Sequence, residues 1–172
     1  MLRAYDLTRH HESYQLRLAT ATQTSELTYI DAATEWLLPH DDLRLQASVT
    51  RVGSDPGGSL ETRDAHIENS RYRFGLSYRL LRTSMAERIL GISLNRYHSR
   101  TILDGTRRLE DKLTGVNLNY RHAWLDGRGA THSLTASISR GLPLGDTRVI
   151  DSELGMGVGT PVYTKMNLGY GG

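Results

Sequence analysis

Apolar and polar residues along this chain change places at every second position. In residues 71–81, RYRFGLSYRLL, the even positions are Tyr72, Phe74, Leu76, Tyr78 and Leu80, and the odd positions up to 79 are Arg71, Arg73, Gly75, Ser77 and Arg79. A period of two predicts a strand with two unlike faces. Wound as a helix, the same residues would scatter the aromatics around the circumference and leave no single face to bury. Residues 14–22, 43–49, 89–95, 115–120, 133–139 and 164–170 repeat the pattern, and a less regular run spans 26–38. The polar partners recur in kind. Arg17 faces away from Leu16 and Leu18, Arg44 and Gln46 from Leu43 and Leu45, Asn95 from Leu94, and Asn117 and Asn119 from Val116 and Leu118. About eight strands are therefore expected, each with an aliphatic or aromatic face and a face of Arg, Asn, Gln, Ser, Thr and Gly.

The connections carry a second pattern. Pro39-His40-Asp41-Asp42, Thr83 to Ala86 and the Asp-Gly signal of 126–130, DGRGA, predict short turns. Polar or Gly-rich stretches at 53–70, 101–111 and 141–160 predict long loops. Long and short then alternate, as in an up-and-down membrane barrel, except for a short link near residues 23–25. Several runs reach the roughly 9 to 11 residues that a tilted membrane strand requires. Trp36, Tyr78, Tyr97, Trp124 and Tyr163 fall near expected strand ends, where interfacial aromatics belong. A soluble antiparallel β-sandwich also alternates apolar and polar residues, and pattern alone leaves both architectures open.

Composition narrows the field. The 172 residues suit one domain. Twenty-one Lys and Arg against 19 Asp and Glu are too balanced to mark a nucleic-acid binder by bulk charge, and the arginines alternate with aromatics expected on the opposite face. The absence of cysteine excludes disulfides and thiolate chemistry. No run approaches a transmembrane helix, and residues 2–13 contain no apolar signal-peptide segment. A mean hydropathy of −0.45 does not exclude a barrel, because a barrel strand shows lipid only half of its residues.

Six pieces of sequence, in order, carry a family resemblance: SDPGGSLETRD at 54–64, YRLLRTS at 78–84, HSRTILDG at 98–105, EDKLTGVNLNY at 110–120, SRGL at 139–142 and YTKM at 163–166. Over residues 43–170 the chain resembles the barrel region of the outer-membrane transporters of two-partner secretion, the hemolysin secretion/activation family (ShlB/FhaC/HecB type). Arg79 stands where the family has a proline, and Arg140 where it often has glutamine. The resemblance implies an antiparallel transmembrane β-barrel in the outer membrane that passes an unfolded exoprotein to the cell surface, with a lipid bilayer around it and no cofactor. It also implies a signal peptide, POTRA domains and further strands beyond those seen. The expectation is that residues 1–172 form about half of a barrel of roughly sixteen strands. An unrelated porin-like barrel is the third architecture to weigh.

No catalytic constellation is legible. His10-His11-Glu12 lacks metal-ligand spacing, and Gly155, Gly157 and Gly159 lack the flanking strand and helix of a nucleotide loop. His98, His122 and His132 fall on different strands, and no serine sits in a nucleophile elbow. The candidate functional residues are those of the polar face: Arg17, Arg44, Gln46, Arg71, Arg73, Arg79, Asn95, Asn117, Asn119 and Arg121. In a wet pore they would favour anions and offer hydrogen bonds to an extended polypeptide. Alternatively they pair with carboxylates and simply fill the lumen.

Overall fold

The computed structural model describes residues 1–7, 11–21, 27–38, 42–55, 65–144, 148–150 and 162–172. Their regular structure is all strand: β1 (Leu2–Tyr5), β2 (Glu12–Thr20), β3 (Leu27–Leu37), β4 (Leu43–Ser54), β5 (His66–Arg82), β6 (Ala86–Leu103), β7 (Thr106–Leu125), β8 (Thr131–Leu142), β9 (Arg148–Ile150) and β10 (Thr164–Gly171). The strands form one open sheet. Strands β1 to β8 and then β10 lie side by side in chain order, each antiparallel to the next, while β9 pairs with β7 beyond the end of β8. The eight expected strands are all present. The two-layered sandwich is not the architecture of the described residues, because no second sheet covers the first.

Three strands are much longer than their alternation suggested: β5 has 17 residues, β6 has 18 and β7 has 20. The stretch 101–111, expected as a polar loop, is mostly strand. It closes through a two-residue turn in which Asp104 and Gly105 both have positive φ, 52° and 68°. Those angles match a type I′ hairpin, whose twist fits that of the flanking strands and which Asp-Gly adopts readily. The short links at 83–86 and 126–130 are as expected. Thr83 Oγ1 accepts the Ala86 amide at 2.9 Å, and the Asp126 carboxylate accepts the amides of Arg128 and Ala130. Residues 39–41, 56–64 and 151–161, with the Pro39 turn, most of the first family motif and the Gly155 run, lie outside the described residues.

Register turns the separate alternations into two continuous faces, because paired residues share a side of the sheet. On one side, four rows cross the central strands: Val49 and Tyr72; Ala47, Phe74, Leu94 and Val116; Leu45, Leu76, Ile92, Leu118, Ile138 and Met166; Leu43, Tyr78, Leu90, Tyr120, Ala136 and Leu168. On the other side, polar and small residues occupy the matching positions. A register shift between Arg79 and Leu81 absorbs the consecutive Leu80 and Leu81.

The distribution of burial is inverted relative to a water-soluble sheet. In β6, Leu90, Ile92 and Leu94 are 38%, 51% and 47% exposed, whereas Gly91 and Ser93 between them are buried. Ala65 is the single buried hydrophobic residue among those described. The chain exposes 11823 Å², against about 8,500 Å² expected for a folded monomer of its mass. Ladder hydrogen bonds hold this sheet together, and its apolar surface remains uncovered.

Candidate lumen face and the opposing apolar face

All ten candidate residues stand on one side of the sheet. Register links Arg44 to Ser77, Gln46 to Gly75, Arg71 to Tyr97, Arg73 to Asn95, Asn117 to Ser93 and Ser139, Asn119 to Gly91, and Arg121 to Ile89 and Thr135. Arg17 joins them through Asp31 on β3. Arg79 sits at the register shift on the same side, its Nε 3.0 Å from Glu87, and is among the least exposed of the arginines.

The polar face divides electrostatically. Across β2 to β4 the cations are matched. Glu35 accepts from Arg44 and from Gln46, both at 2.9 Å, and Asp31 accepts from Thr50 at 2.8 Å and lies 4.0 Å from Arg17. Along the central part of β5 to β8, away from the Arg79–Glu87 pair, neutral amides and hydroxyls take the place of the carboxylates. Arg73 donates to Asn95 Oδ1 at 2.9 Å, Asn95 in turn to Ser93 Oγ at 3.2 Å, and Asn117 to Ser139 Oγ at 2.7 Å. Arg71 and Arg121 have no ion-pair partner among the described residues. The first half of the face is thus filled by compensated charge, and the second half keeps a net positive field around a recess of about 310 Å³ bordered by Arg71, Arg73, Asn95, Asn117 and Tyr163.

Glycine permits this crowding at one position. A Cβ built on Gly91 would fall 2.7 Å from Asn119 Oδ1, so the Asn119 side chain lies flat over that glycine.

The aromatic residues need correction. Trp36, Tyr78 and Trp124 stand on the apolar face near the short turns. Tyr97 and Tyr163 do not. Tyr97 lies inside β6 on the polar face, its hydroxyl donating to Asn69 Oδ1 at 2.8 Å, and the Tyr163 hydroxyl reaches over Gly115 on that face. The aromatics are therefore not confined to the side opposite the arginines.

His98, His122 and His132 lie on three different strands, as expected, but two of them meet. His122 and His132, on β7 and β8, flank Trp124 with ring centroids at 4.7 and 5.3 Å. His132 contacts the Tyr170 hydroxyl through Nδ1 at 2.7 Å and Asp126 Oδ2 through Nε2 at 3.2 Å. Bonds from Ala130, His132 and Arg128 hold the Asp126 carboxyl below its ordinary range. The Asp-Gly turn signal marked one end of this cluster; pairing of β8 with β10 brings in Tyr170 from far along the chain. Among the described residues no group of His, Asp and Glu could hold a metal.

The extended ends of β5, β6 and β7 carry ion pairs on the side that is apolar lower down. Glu68 meets Arg100 and Arg51, and His66 meets Asp55 and Glu68. The bond to Asp55, ahead of that to Glu68, raises the His66 pKa, and Arg100 chiefly lowers that of Glu68. A raised histidine stabilises the fold below its ordinary value of 6.5 and loses that contribution as pH rises through the raised one. A lowered carboxylate stabilises above its ordinary 4.5 and fades as pH falls through the lowered one. Both contributions coexist between about pH 4.5 and 6.5. Amide-exchange protection at residues 66–70 and 98–102, corrected for intrinsic rates, is expected to fall as pH rises above 6.5 and to lose that dependence in His66→Gln. Protection indifferent to pH in the unsubstituted chain would refute this.

Comparison with known protein families, curated proteins and solved structures finds no match to the chain.

Proposed function

We propose that this chain is part of the wall of an outer-membrane β-barrel transporter that passes an unfolded partner exoprotein, the activity implied by the two-partner secretion motifs. The observation that carries the membrane part is the inverted sheet: apolar rows stay exposed or half-exposed while Gly75, Gly91 and Ser93 behind them are buried. In water such a surface would drive association. In a bilayer it is the lipid face, and the polar side borders an aqueous lumen. Counted from Arg96 to the row of Ala86 and Trp124, the apolar and aromatic zone rises about 33 Å along the strand. At a tilt near 40° that is about 25 Å of height, the thickness of an outer-membrane apolar band. The uncompensated Arg71 and Arg121, with Arg73 held only by a neutral amide, suit a path that offers hydrogen bonds to extended backbone without a deep binding site.

Because the chain has no cysteine, single cysteines can map the two faces. After insertion into vesicles, Arg73→Cys and Asn117→Cys are expected to react with a water-soluble maleimide. Phe74→Cys and Leu118→Cys should react at least tenfold more slowly. Equal reactivity at neighbouring positions would reject the membrane reading. The secretion role has a separate test: a gene for a large secreted partner should adjoin this one, and deleting the transporter should retain that partner inside the cell.

One observation favours a second reading. The apolar face holds a groove of about 680 Å³ across β1 to β6, walled by Leu16, Val49, Tyr72 and Phe74. In a soluble sheet this groove would be covered by a partner, and detergent-free fractionation would recover the native product in the soluble fraction.

A further inference from the structure

The apolar band ends differently at its two rims. Toward the short turns it gives way to Trp36, Trp124, His122, His132 and Tyr170, with Arg88 the one strand cation on that face. Toward the long connections it gives way to Arg51, Arg96, Arg100, Lys112 and Arg140. Three carboxylates, Asp55, Glu68 and Glu110, serve this second rim. Arg51 and Arg100 share Glu68, and Lys112 lies 2.9 Å from Glu110. Arg96 and Arg140 are exposed and have no ion-pair partner among the described residues.

Their placement is specific. Arg96 on β6 is paired with Thr114 on β7, and Arg140 on β8 with Val116 on β7. The two arginines are two strands apart and offset by one residue pair, so their Cα atoms are about 12 Å apart. Lys112 occupies the next position beyond Thr114 on the same face of β7. Thr114 itself is buried, its hydroxyl donating to the Leu144 carbonyl at 3.5 Å, so a group on which side chains of that length converge lies outward of that contact. Directly below are Leu94, Val116 and Ile138, three exposed or half-exposed apolar residues. A ligand matching this surface has a doubly or singly anionic head and hydrocarbon tails beneath it.

We infer that the long-connection rim binds the anionic phosphate headgroup of a membrane lipid, with Arg96 and Arg140 as its principal contacts, Lys112 in support and the acyl chains against Leu94, Val116 and Ile138. Guanidinium matches phosphate through paired N–H donors, and the leaflet at this rim supplies the counter-charge that the protein does not. The inference rests on the membrane reading of the sheet.

The full 172-residue chain, folded in the presence of vesicles, provides the test. Vesicles of phosphatidylcholine alone are compared with vesicles containing one-fifth phosphatidylglycerol at 0.1 M salt. The unsubstituted chain is expected to bind both and to prefer the anionic vesicles. The double variant Arg96→Gln/Arg140→Gln should bind phosphatidylcholine unchanged and lose about thirtyfold on the anionic vesicles, at about fivefold per cation near an anionic surface. Arg96→Lys/Arg140→Lys should recover most of that loss and so separates charge from misfolding. A glutamine variant that keeps the full preference overturns the lipid site and leaves the membrane reading intact. Failure of the unsubstituted chain to bind either vesicle overturns both.

Discussion

Ile92→Arg should abolish stable insertion into bilayers, whereas Ser93→Arg, one residue along, should not. Ile92 lies in a row with Leu76, Leu118 and Ile138, close to the middle of the apolar zone, and is 51% exposed. Placed against lipid near the midplane, an arginine there costs about 2–4 kcal/mol, or about 30- to 800-fold in the folding equilibrium. Ser93 lies behind it beside Asn95 and Asn117, where an added guanidinium has water and amide partners. In a soluble sheet the order reverses: arginine at the exposed Ile92 would be tolerated, and arginine at the buried Ser93 would crowd its neighbours. Folding titrations in vesicles for the two variants, read by protease resistance, decide the matter. Equal loss in both, or a greater loss in Ser93→Arg, would refute the assignment of faces.

The purified chain by itself should give no steady single-channel conductance. Strands β1 and β10 each keep one side free of any strand partner among the described residues, and a free edge in hydrocarbon leaves backbone N–H and C=O groups without hydrogen bonds at several kcal/mol each. Even a few such residues on each edge outweigh the stability of a typical domain. The edges are also apolar on one side: Leu2 is 68% exposed, and Met166 and Leu168 are 72% and 78% exposed. In vesicles or detergent the expected state is association of copies through these edges, which pairs their free N–H and C=O groups and leaves the sheets inserted without a channel. Discrete, reproducible openings from this polypeptide in a planar bilayer would contradict the edge argument.

How far the sequence could be read follows from what alternation encodes. It reports the contrast between two faces, and where that contrast is strong, as in Tyr72 to Leu80, strands and faces were legible residue by residue. All ten candidate polar-face residues were placed on one side because each alternates with an apolar neighbour. Where both faces are polar the signal vanishes. Residues 98–112 carry His98, Arg100, Glu110 and Lys112 on one side and Ser99, Thr101 and Asp111 on the other, so a hairpin extension reads as a loop. Alternation is also silent about partners across the sheet. Glu35 between Arg44 and Gln46, and Tyr170 against His132, are facts of register, which depends on turn length and on residues far apart in the chain. Tyr97 shows the remaining failure: an aromatic residue in a strand of mixed character was assigned to an interface by its type, when its parity placed it with the arginines.

Strand direction carries one more consequence. Nine strands in sequence, each opposed to the next, leave β1 and β10 running the same way. Were the sheet to curl until these edges met, the seam would be a parallel one, whereas bacterial single-chain barrels close with an even number of antiparallel strands. Antiparallel closure of the wall proposed above therefore requires an odd number of additional strands between β10 and β1, from whatever chain they come. A second copy of this nine-stranded sheet also brings an odd number of strands, but inserted in the same direction it meets the first through two parallel seams, β10 against β1 each time. Two copies close antiparallel only if one is inverted, β10 against β10 and β1 against β1, so with a common direction of insertion the wall is completed by a set of strands that begins and ends opposite to β1 and β10.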